Sequence, residues 1–178
     1  MKQIIITSPE PIPGEVDTVC RLLDEGIFAV HIRRPTYGID EYRRLLDAIP
    51  KRYHDRLVIH DYYELCDEYQ LMGIHLNRRH HYIPAGSYGS ISCSCHTLDE
   101  VIKKKQEMDY VFLSPIFDSI SKIGYRSAFP LEVLRQAAME HVIDEKVFAL
   151  GGITRERMPL LQALSFGGAV LMGDVWNR

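Results

Sequence analysis

The sequence contains eight short apolar runs, and segments with a helical pattern separate most of them. The runs are Gln3–Thr7, Phe28–Arg33, Leu57–Asp61, Met72–Leu76, Ser90–Cys95, Tyr110–Ser114, Val147–Leu150 and Ala169–Met172. Most of them lack strict alternation of apolar and polar residues, which is typical of parallel strands covered on both faces. Alternation of strands and helices along the whole chain predicts an α/β fold with right-handed crossovers. We favour a (β/α)8 TIM barrel, with an open doubly wound sheet as the alternative.

Helical patterns occupy six segments between the strands. They are Val16–Glu25, Asp40–Ile49, Tyr62–Tyr69, Leu98–Met108, Leu131–Glu140 and Arg155–Leu164. The fourth and fifth strands are separated only by Asn77–Gly89, which contains Pro84 and Gly86. Because this stretch is short and rich in helix breakers, we expect a degenerate helix there, as a loop or a single turn. Residues 1–178 are predicted to form one compact domain.

Composition argues against several classes of function. The 178 residues carry a formal net charge of −3, so no basic field attracts nucleic acid. No apolar run reaches the ~18 residues that a membrane span needs, and the first residues lack the pattern of a signal peptide. The 4 cysteines do not suggest a disulfide framework, which favours the cytoplasm. Small molecules are the expected partners, and a homo-oligomer is compatible with the sequence.

Two glycine turns near the C-terminus are the strongest functional signal. The strand Val147–Leu150 ends in Gly151-Gly152, and the next strand is followed by Gly173 and Asp174. Glycine lets the backbone approach a ligand, and amides at a helix start favour an anion. Consecutive turns of this kind are typical of the phosphate site after the last two strands of a (β/α)8 barrel. The sequence therefore predicts a site for a phosphate ester.

Polar residues at the ends of the second and third strands are further candidates. Period-two alternation puts His31 and Arg33 on the inward face, where Arg33 would bind phosphate or carboxylate. Arg34, beside it, is expected to be solvated. Asp61 ends the third strand and either holds Mg²⁺ through water or caps the helix predicted to start at Tyr62.

The fifth strand ends in a segment that alternates hydroxyl, thiol and imidazole groups. Ser94 and His96 share one face, which we interpret as facing the ligand, while Cys93 and Cys95 share the other. His96 is the best candidate for a proton carrier near neutral pH. The two cysteines are expected to pack as small hydrophobic residues.

The loop after the sixth strand carries two hydroxyls and an ammonium group close together. These are Ser119, Ser121 and Lys122. Such a group could clasp a diphosphate through charge-assisted hydrogen bonds. Its position next to the glycine turns strengthens that interpretation.

Several histidines invite a zinc hypothesis. They are His60, His75, His80, His81 and His96. The sequence contains neither an H-E-x-x-H motif nor paired C-x-x-C motifs, so zinc is the minor alternative. We interpret His75 as a hydrogen-bonded interior residue.

Five motifs, in one order, resemble those of thiamine-phosphate synthases and of their relatives, the TenI-type thiazole tautomerases. The likeness runs from about Gly26 to Val175. The motifs are H-I-R at His31–Arg33, G-I-H-L at Gly73–Leu76, S-C-H-T at Ser94–Thr97, D-Y-V-F-L-S-P-I-F-D-S-I-S-K at Asp109–Lys122 and A-L-G-G-I-T at Ala149–Thr154. The resemblance implies a (β/α)8 barrel and a role in thiamin biosynthesis.

The resemblance also implies a reaction and a set of residues. In the synthases, a pyrimidine diphosphate loses pyrophosphate to the nitrogen of a thiazole phosphate, and Mg²⁺ neutralises the leaving group. The implied catalytic residues are His96, Lys122 and Arg33, with Asp61 and His80 at the metal. The implied substrate-binding and phosphate-binding residues are His31, Arg33, Ser94, Ser119, Ser121, Lys122, Gly151, Gly152, Gly173 and Asp174.

Three positions depart from the synthase pattern. Pro35 stands where synthases have a lysine, His60 where they have an asparagine, and His80 where they have a second metal-binding aspartate. These changes leave two alternatives open: a tautomerase that moves a proton on a thiazole carboxylate phosphate without metal, and a non-catalytic phosphate-binding relative. Because Asp61 and Ser119–Lys122 remain, we favour the synthase class with Mg²⁺ as its cofactor.

Overall fold

Eight strands form a closed barrel in the order β1 to β8, which confirms the predicted fold class. The computed structural model describes residues 1–77, 83, 85–86, 89–118 and 129–176. The strands are β1 (Lys2–Ile6), β2 (Ala29–Ile32), β3 (Leu57–Ile59), β4 (Gly73–Leu76), β5 (Ser90–Cys95), β6 (Tyr110–Leu113), β7 (Val147–Leu150) and β8 (Gly168–Leu171). Each strand overlaps a predicted strand, and the ends of the two differ by at most two residues.

The helices are α1 (Glu15–Asp24), α2 (Ile39–Ala48), α3 (Glu64–Glu68), α4 (Leu98–Lys104), α5 (Leu131–Met139), α6 (Met158–Ala163) and α7 (Gly173–Trp176), with 3-10 helices at Lys51–Arg56 and Arg155–Arg157. The helix predicted at Arg155–Leu164 therefore begins with a 3-10 turn. Helices α1 to α6 overlap the six predicted helical segments, whereas α7 was not predicted. Between β4 and β5, the described residues 77, 83, 85–86 and 89 lie in no helix, in agreement with the prediction of a degenerate segment.

Burial explains why the apolar runs form strands. Every residue of β2, β3, β4, β6 and β8 is buried, as expected for strands covered on both faces. The helices bury one stripe only, such as Val19, Leu22 and Leu23 of α1. Each buried aliphatic side chain of this size stabilises the fold by about 1.5–3 kcal/mol. No described helix has the length and apolar character that crossing a bilayer requires.

The chain divides into two compact units. The first unit is Ile4–Ile91, and the second combines Met1–Gln3 with Ser92–Arg178. In the first unit, β2 pairs with β3 and β3 with β4, with His31 opposite Val58 and Val58 opposite Gly73. In the second unit, β6, β7 and β8 pair in parallel order. That one domain spans the chain stays a prediction.

Candidate functional site

In the second unit, the turn after β7 packs closely against the loop after β6. Gly151 and Gly152 have φ angles of 99° and 61°, the left-handed region that favours glycine. A Cβ on Gly151 would lie 2.9 Å from Pro115 Cα, and one on Gly152 would overlap the Asp118 carbonyl oxygen. Glycine is therefore required at both positions by backbone conformation and by the close approach of the loop.

Hydrogen bonds hold this turn and loop together. The amides of Ile116 and Phe117 donate to the carbonyl oxygens of Leu150 and Gly151, at 3.0 and 3.1 Å. Arg157 donates to the Gly152 carbonyl and lies over the Phe117 ring, 4.4 Å from its centroid. The carbonyl groups of the turn are thus bonded to protein. Within the described part of the chain, the amides of Gly151 and Gly152 donate to no other backbone group.

The turn after β8 leads directly into a helix. Gly173 is the first residue of α7, which begins two residues after Leu171, the end of β8. The pairing of Leu150 with Val170 brings the ends of β7 and β8 side by side. The two predicted glycine turns therefore follow adjacent strands, as the sequence suggested. The side chain of Asp174 lies outside the described residues.

His96 lies two residues before α4, with its ring beside Ser114. Its Nδ1 lies 3.1 Å from the carbonyl oxygen of Ser114 and 3.3 Å from the Ser114 hydroxyl oxygen. The carbonyl can only accept, so the first contact is a hydrogen bond in the tautomer that carries the hydrogen on Nδ1 and the lone pair on Nε2. The His96 amide donates to Glu100 Oε2 at 2.6 Å, which is the main reason why the pKa of Glu100 is lowered. Thr97 caps α4 by accepting from the Glu100 amide. The side chain of His96 is exposed.

Ser94 and the two cysteines lie as the alternation of β5 predicted. Ser94 is half-buried, whereas Cys93 and Cys95 are 3% and 0% exposed. A hydrogen bond donated to Cys93, together with burial, raises the pKa of the Cys95 thiol. The cysteines therefore pack as small buried groups, and all four cysteines of the chain are free thiols.

In the first unit, three histidines meet in the interior. His31, His60 and His75 are 0%, 4% and 2% exposed, and His31 Nδ1 lies 3.0 Å from His60 Nε2. The rings of His60 and His75 stack with centroids 4.4 Å apart. Burial, and then His75, hold the pKa of His31 well below its usual value. His75 is an interior residue, as predicted, but the cluster with His31 was not anticipated.

The register of the strands explains why these histidines share a face. His31 is level with Val58, and Val58 is level with Gly73, so these three positions point the same way. His60 and His75 come two residues after Val58 and Gly73, so they point the same way again. The period-two pattern was visible in the sequence, but the register between separate strands was not.

Arg33 is positioned by a residue that the sequence did not single out. The hydroxyl of Thr7, which follows β1, accepts from the Arg33 amide at 2.9 Å and donates to the Arg33 carbonyl at 3.3 Å. Thr7 is buried and the Arg33 side chain is exposed. The backbone of Arg33 is thus fixed while its guanidinium group faces solvent, an arrangement suited to capturing an anion.

Two expectations for this unit are wrong. Arg34 is not solvated: it is 1% exposed and pairs with the buried carboxylate of Glu15, the first residue of α1. Asp61 does not cap a helix, because α3 begins later, at Glu64, and Tyr62 has a positive φ. Instead, Asp61 Oδ2 accepts from the Tyr42 hydroxyl at 3.3 Å.

The described residues fit a Mg²⁺ ion poorly. Among described residues within two positions after β2, β3 and β4, Asp61 offers the single carboxylate; it accepts from the Tyr42 hydroxyl, and the residue before it is His60. Mg²⁺ prefers an octahedron of oxygen ligands, whereas imidazole suits transition metals. His80, the other metal ligand implied by the resemblance, lies outside the described residues, as do Ser119, Ser121 and Lys122.

Comparisons with known proteins agree with the fold and the motifs. The family model described as thiamine monophosphate synthase matches residues 4–175. The thiamine-phosphate synthase of Caldicellulosiruptor bescii is 28% identical over 156 residues, 82% of this chain and 69% of that protein. The one from Photorhabdus laumondii is 25% identical over 174 residues, 93% of this chain and 80% of that protein.

Solved structures give the same result. The crystal structure of a thiamine phosphate pyrophosphorylase from Bacteroides thetaiotaomicron is 40% identical, with a TM-score of 0.91 over 100% of this chain and 86% of that one. A thiamine phosphate pyrophosphorylase from Pyrococcus furiosus, 19% identical with a TM-score of 0.78 over 99% of this chain and 88% of that one, shares the fold. The resemblance seen in the motifs is confirmed, and these relatives carry the synthase name rather than that of the tautomerase. The chain belongs to the thiamine monophosphate synthase family.

Proposed function

We propose that this chain is a thiamin-biosynthesis transferase that joins a hydroxymethylpyrimidine diphosphate to a thiazole phosphate. The bond between the methylene carbon and the diphosphate oxygen breaks, pyrophosphate leaves with the electron pair, and the thiazole nitrogen forms the new carbon–nitrogen bond. The observation that carries the proposal is the contact between the Gly151-Gly152 turn and the loop after β6, in a chain whose residues 4–175 match this family.

The thiazole phosphate is assigned to the glycine turns. The amides of Gly151, Gly152 and Gly173, beside Asp174, would donate to its oxygens. Support comes from the adjacent ends of β7 and β8 and from the engagement of the Gly151 and Gly152 carbonyls with protein. Backbone amides in such turns offer fixed donors that cost little reorganisation when an anion binds.

The diphosphate is assigned to the exposed cation Arg33, with Lys122, Ser119 and Ser121 as further donors. A departing pyrophosphate gains negative charge on its bridging oxygen, so fixed cations stabilise the transition state more than the ground state. Ser94 would lie beside the pyrimidine. His31, to which the resemblance gave a substrate-binding role, is buried and its Nδ1 lies 3.0 Å from His60 Nε2, so we assign it no contact with the substrate. Arg33 is the best supported of these, because Thr7 fixes its backbone.

His96 would act on the substrate through Nε2. In the tautomer whose Nδ1–H donates to the Ser114 carbonyl, the ring offers a hydrogen-bond acceptor at Nε2. The synthase reaction moves no proton in its bond-forming step, so His96 would orient the pyrimidine there. In a tautomerase, the same nitrogen would carry the proton and would be indispensable.

Mg²⁺ is the cofactor implied by the resemblance, with Asp61 and His80 as its ligands. Because the described donors fit Mg²⁺ poorly, the synthesis assay is run with and without the ion and shows whether the reaction requires it. We place the enzyme in the cytoplasm with small phosphorylated substrates as partners, which the four free thiols support. Self-association stays a prediction.

The test is direct synthesis. The purified chain, incubated with both substrates with and without added Mg²⁺, should form thiamine phosphate and release an equimolar amount of pyrophosphate. Chromatography measures both products. His96→Ala should slow this reaction without abolishing it. No product at saturating substrates, together with His96-dependent aromatisation of the thiazole carboxylate phosphate, would replace the synthase by the tautomerase. Thermal stabilisation by substrates without any turnover would indicate a binding protein.

A further inference from the structure

The cluster of His31, His60 and His75 has a donor geometry that the synthase reaction does not require. One ring nitrogen from each histidine lies within 4.8 Å of the other two, and this is the one such cluster of potential metal ligands among the residues that the structure describes. All three side chains are buried. The cluster sits on β2, at the end of β3 and on β4, next to Asp61, where the family resemblance implied an oxygen-ligated ion.

We propose that His31, His60 and His75 form a binding site for a divalent transition-metal ion, with Zn²⁺ or Co²⁺ as its probe. Tetrahedral Zn²⁺ binds imidazole nitrogen at about 2.0–2.1 Å, which puts two ligand nitrogens about 3.3 Å apart. The 3.0 Å between His31 Nδ1 and His60 Nε2 and the 4.8 Å limit of the cluster bracket that value. Coordination by all three would require the rings to rotate about their side-chain bonds, because the rings of His60 and His75 stack.

The backbone around the cluster is already held in place. The Asn77 side chain donates to the His60 carbonyl, and the Tyr63 hydroxyl donates to the His75 carbonyl at 2.8 Å. These bonds hold the backbone at His60 and His75, and therefore the points from which the two imidazoles project.

The cluster offers three imidazole nitrogens and no carboxylate, and this set of donors determines which ion fits. A site of three histidines leaves the fourth position of a tetrahedron for water or another ligand, as in catalytic zinc sites. Mg²⁺ would find no oxygen donor on these rings. The competing interpretation is a metal-free hydrogen-bonded cluster, in which one shared hydrogen occupies the space between His31 and His60.

The experiment measures metal binding without substrate, so its outcome is independent of the synthase assay. The chain is stripped with a chelator and titrated with Zn²⁺ by calorimetry and with Co²⁺ by visible absorption. We expect one ion per chain, with the intense absorption bands of four-coordinate Co²⁺. His60→Asn and His31→Gln should each weaken the affinity at least about tenfold. The control His141→Asn removes an exposed histidine from a left-handed position that asparagine tolerates, and should bind normally.

Two results would overturn the proposal. One is the absence of stoichiometric Zn²⁺ or Co²⁺ binding by the folded wild-type chain, and the other is unchanged affinity in both cluster variants. Circular dichroism of the metal-free variants checks that they fold. If either does not, X-ray absorption of the Zn²⁺-loaded wild-type chain decides, because fewer than three imidazole ligands would contradict the assignment.

Discussion

Gly152→Ala tests the contact on which the proposed phosphate site depends. At φ 61°, an alanine is strained by about 1–2 kcal/mol relative to glycine. Its Cβ would also overlap the Asp118 carbonyl oxygen and lie 2.9 Å from Phe117 Cβ, so the turn or the loop must shift. Overpacking of this kind costs about 1–3 kcal/mol. The free energy of unfolding should therefore fall by about 2–5 kcal/mol.

Gly14→Ala is the matched control, because it changes the same backbone region without a collision. Gly14 has φ 71°, and a Cβ there would meet nothing within 4 Å. It should lose only the conformational part, about 1–2 kcal/mol. For a chain of this size each kcal/mol lowers Tm by about 2–4 °C, so the two variants should differ by roughly 2–12 °C in calorimetry.

Gly152→Ala should also change substrate binding selectively. A displaced turn moves the amides assigned to the thiazole phosphate, so KM for that substrate should rise more than KM for the pyrimidine diphosphate. Urea titrations and steady-state kinetics on both variants provide the readout. Equal destabilisation of the two variants would mean that the loop yields freely, and an unchanged KM for the thiazole phosphate in Gly152→Ala would remove the turn from the site.

Three further substitutions test the supports around the two sites. Thr97→Ala removes the cap that accepts from the Glu100 amide and should reduce the free energy of unfolding in urea by about 1 kcal/mol; an unchanged value would show that the cap contributes nothing. Arg34→Met should destabilise by about 3–5 kcal/mol because it leaves the Glu15 carboxylate buried and unpaired, whereas adding Glu15→Leu should restore most of the loss; equal losses in single and double variants would contradict this. The His96 amide lowers the pKa of Glu100, so its stabilisation is present above about pH 4.3, the unfolded value, and disappears as the pH falls through the lower folded value. Glu100→Gln should therefore lower the urea midpoint at neutral pH and leave it unchanged in acid.

The strands were predictable because burial on both faces leaves a signature in the sequence itself. The run Val147–Leu150 was predicted with the bounds that the structure has, and the glycine turn after it followed from its position. Helix starts were less certain: Asp61 has the chemistry of a cap, but the chain takes a left-handed turn at Tyr62 and the helix begins later. Local sequence does not specify that turn.

Pairings between distant segments could not be read from the sequence. Arg34 follows a strand end and has the appearance of a surface residue, yet the first turn of α1 supplies Glu15 and encloses the pair. The histidine cluster depends likewise on the register of three strands, which the alternation within each strand does not determine. The signal available was only that His31 and His75 occupy inward positions near the ends of their strands.

Burial separates the polar residues at the strand ends into two groups with different tasks. The histidine cluster and Asp61 are buried and bonded to other side chains, so they can fix geometry or hold an ion but offer little surface to a substrate. Arg33 and His96 have anchored backbones and exposed side chains. A group that must meet a diphosphate or a pyrimidine has to be reachable and still positioned, and these two satisfy both conditions. We therefore propose that, among the residues that the structure describes, Arg33 and His96 are the ones that meet the substrates.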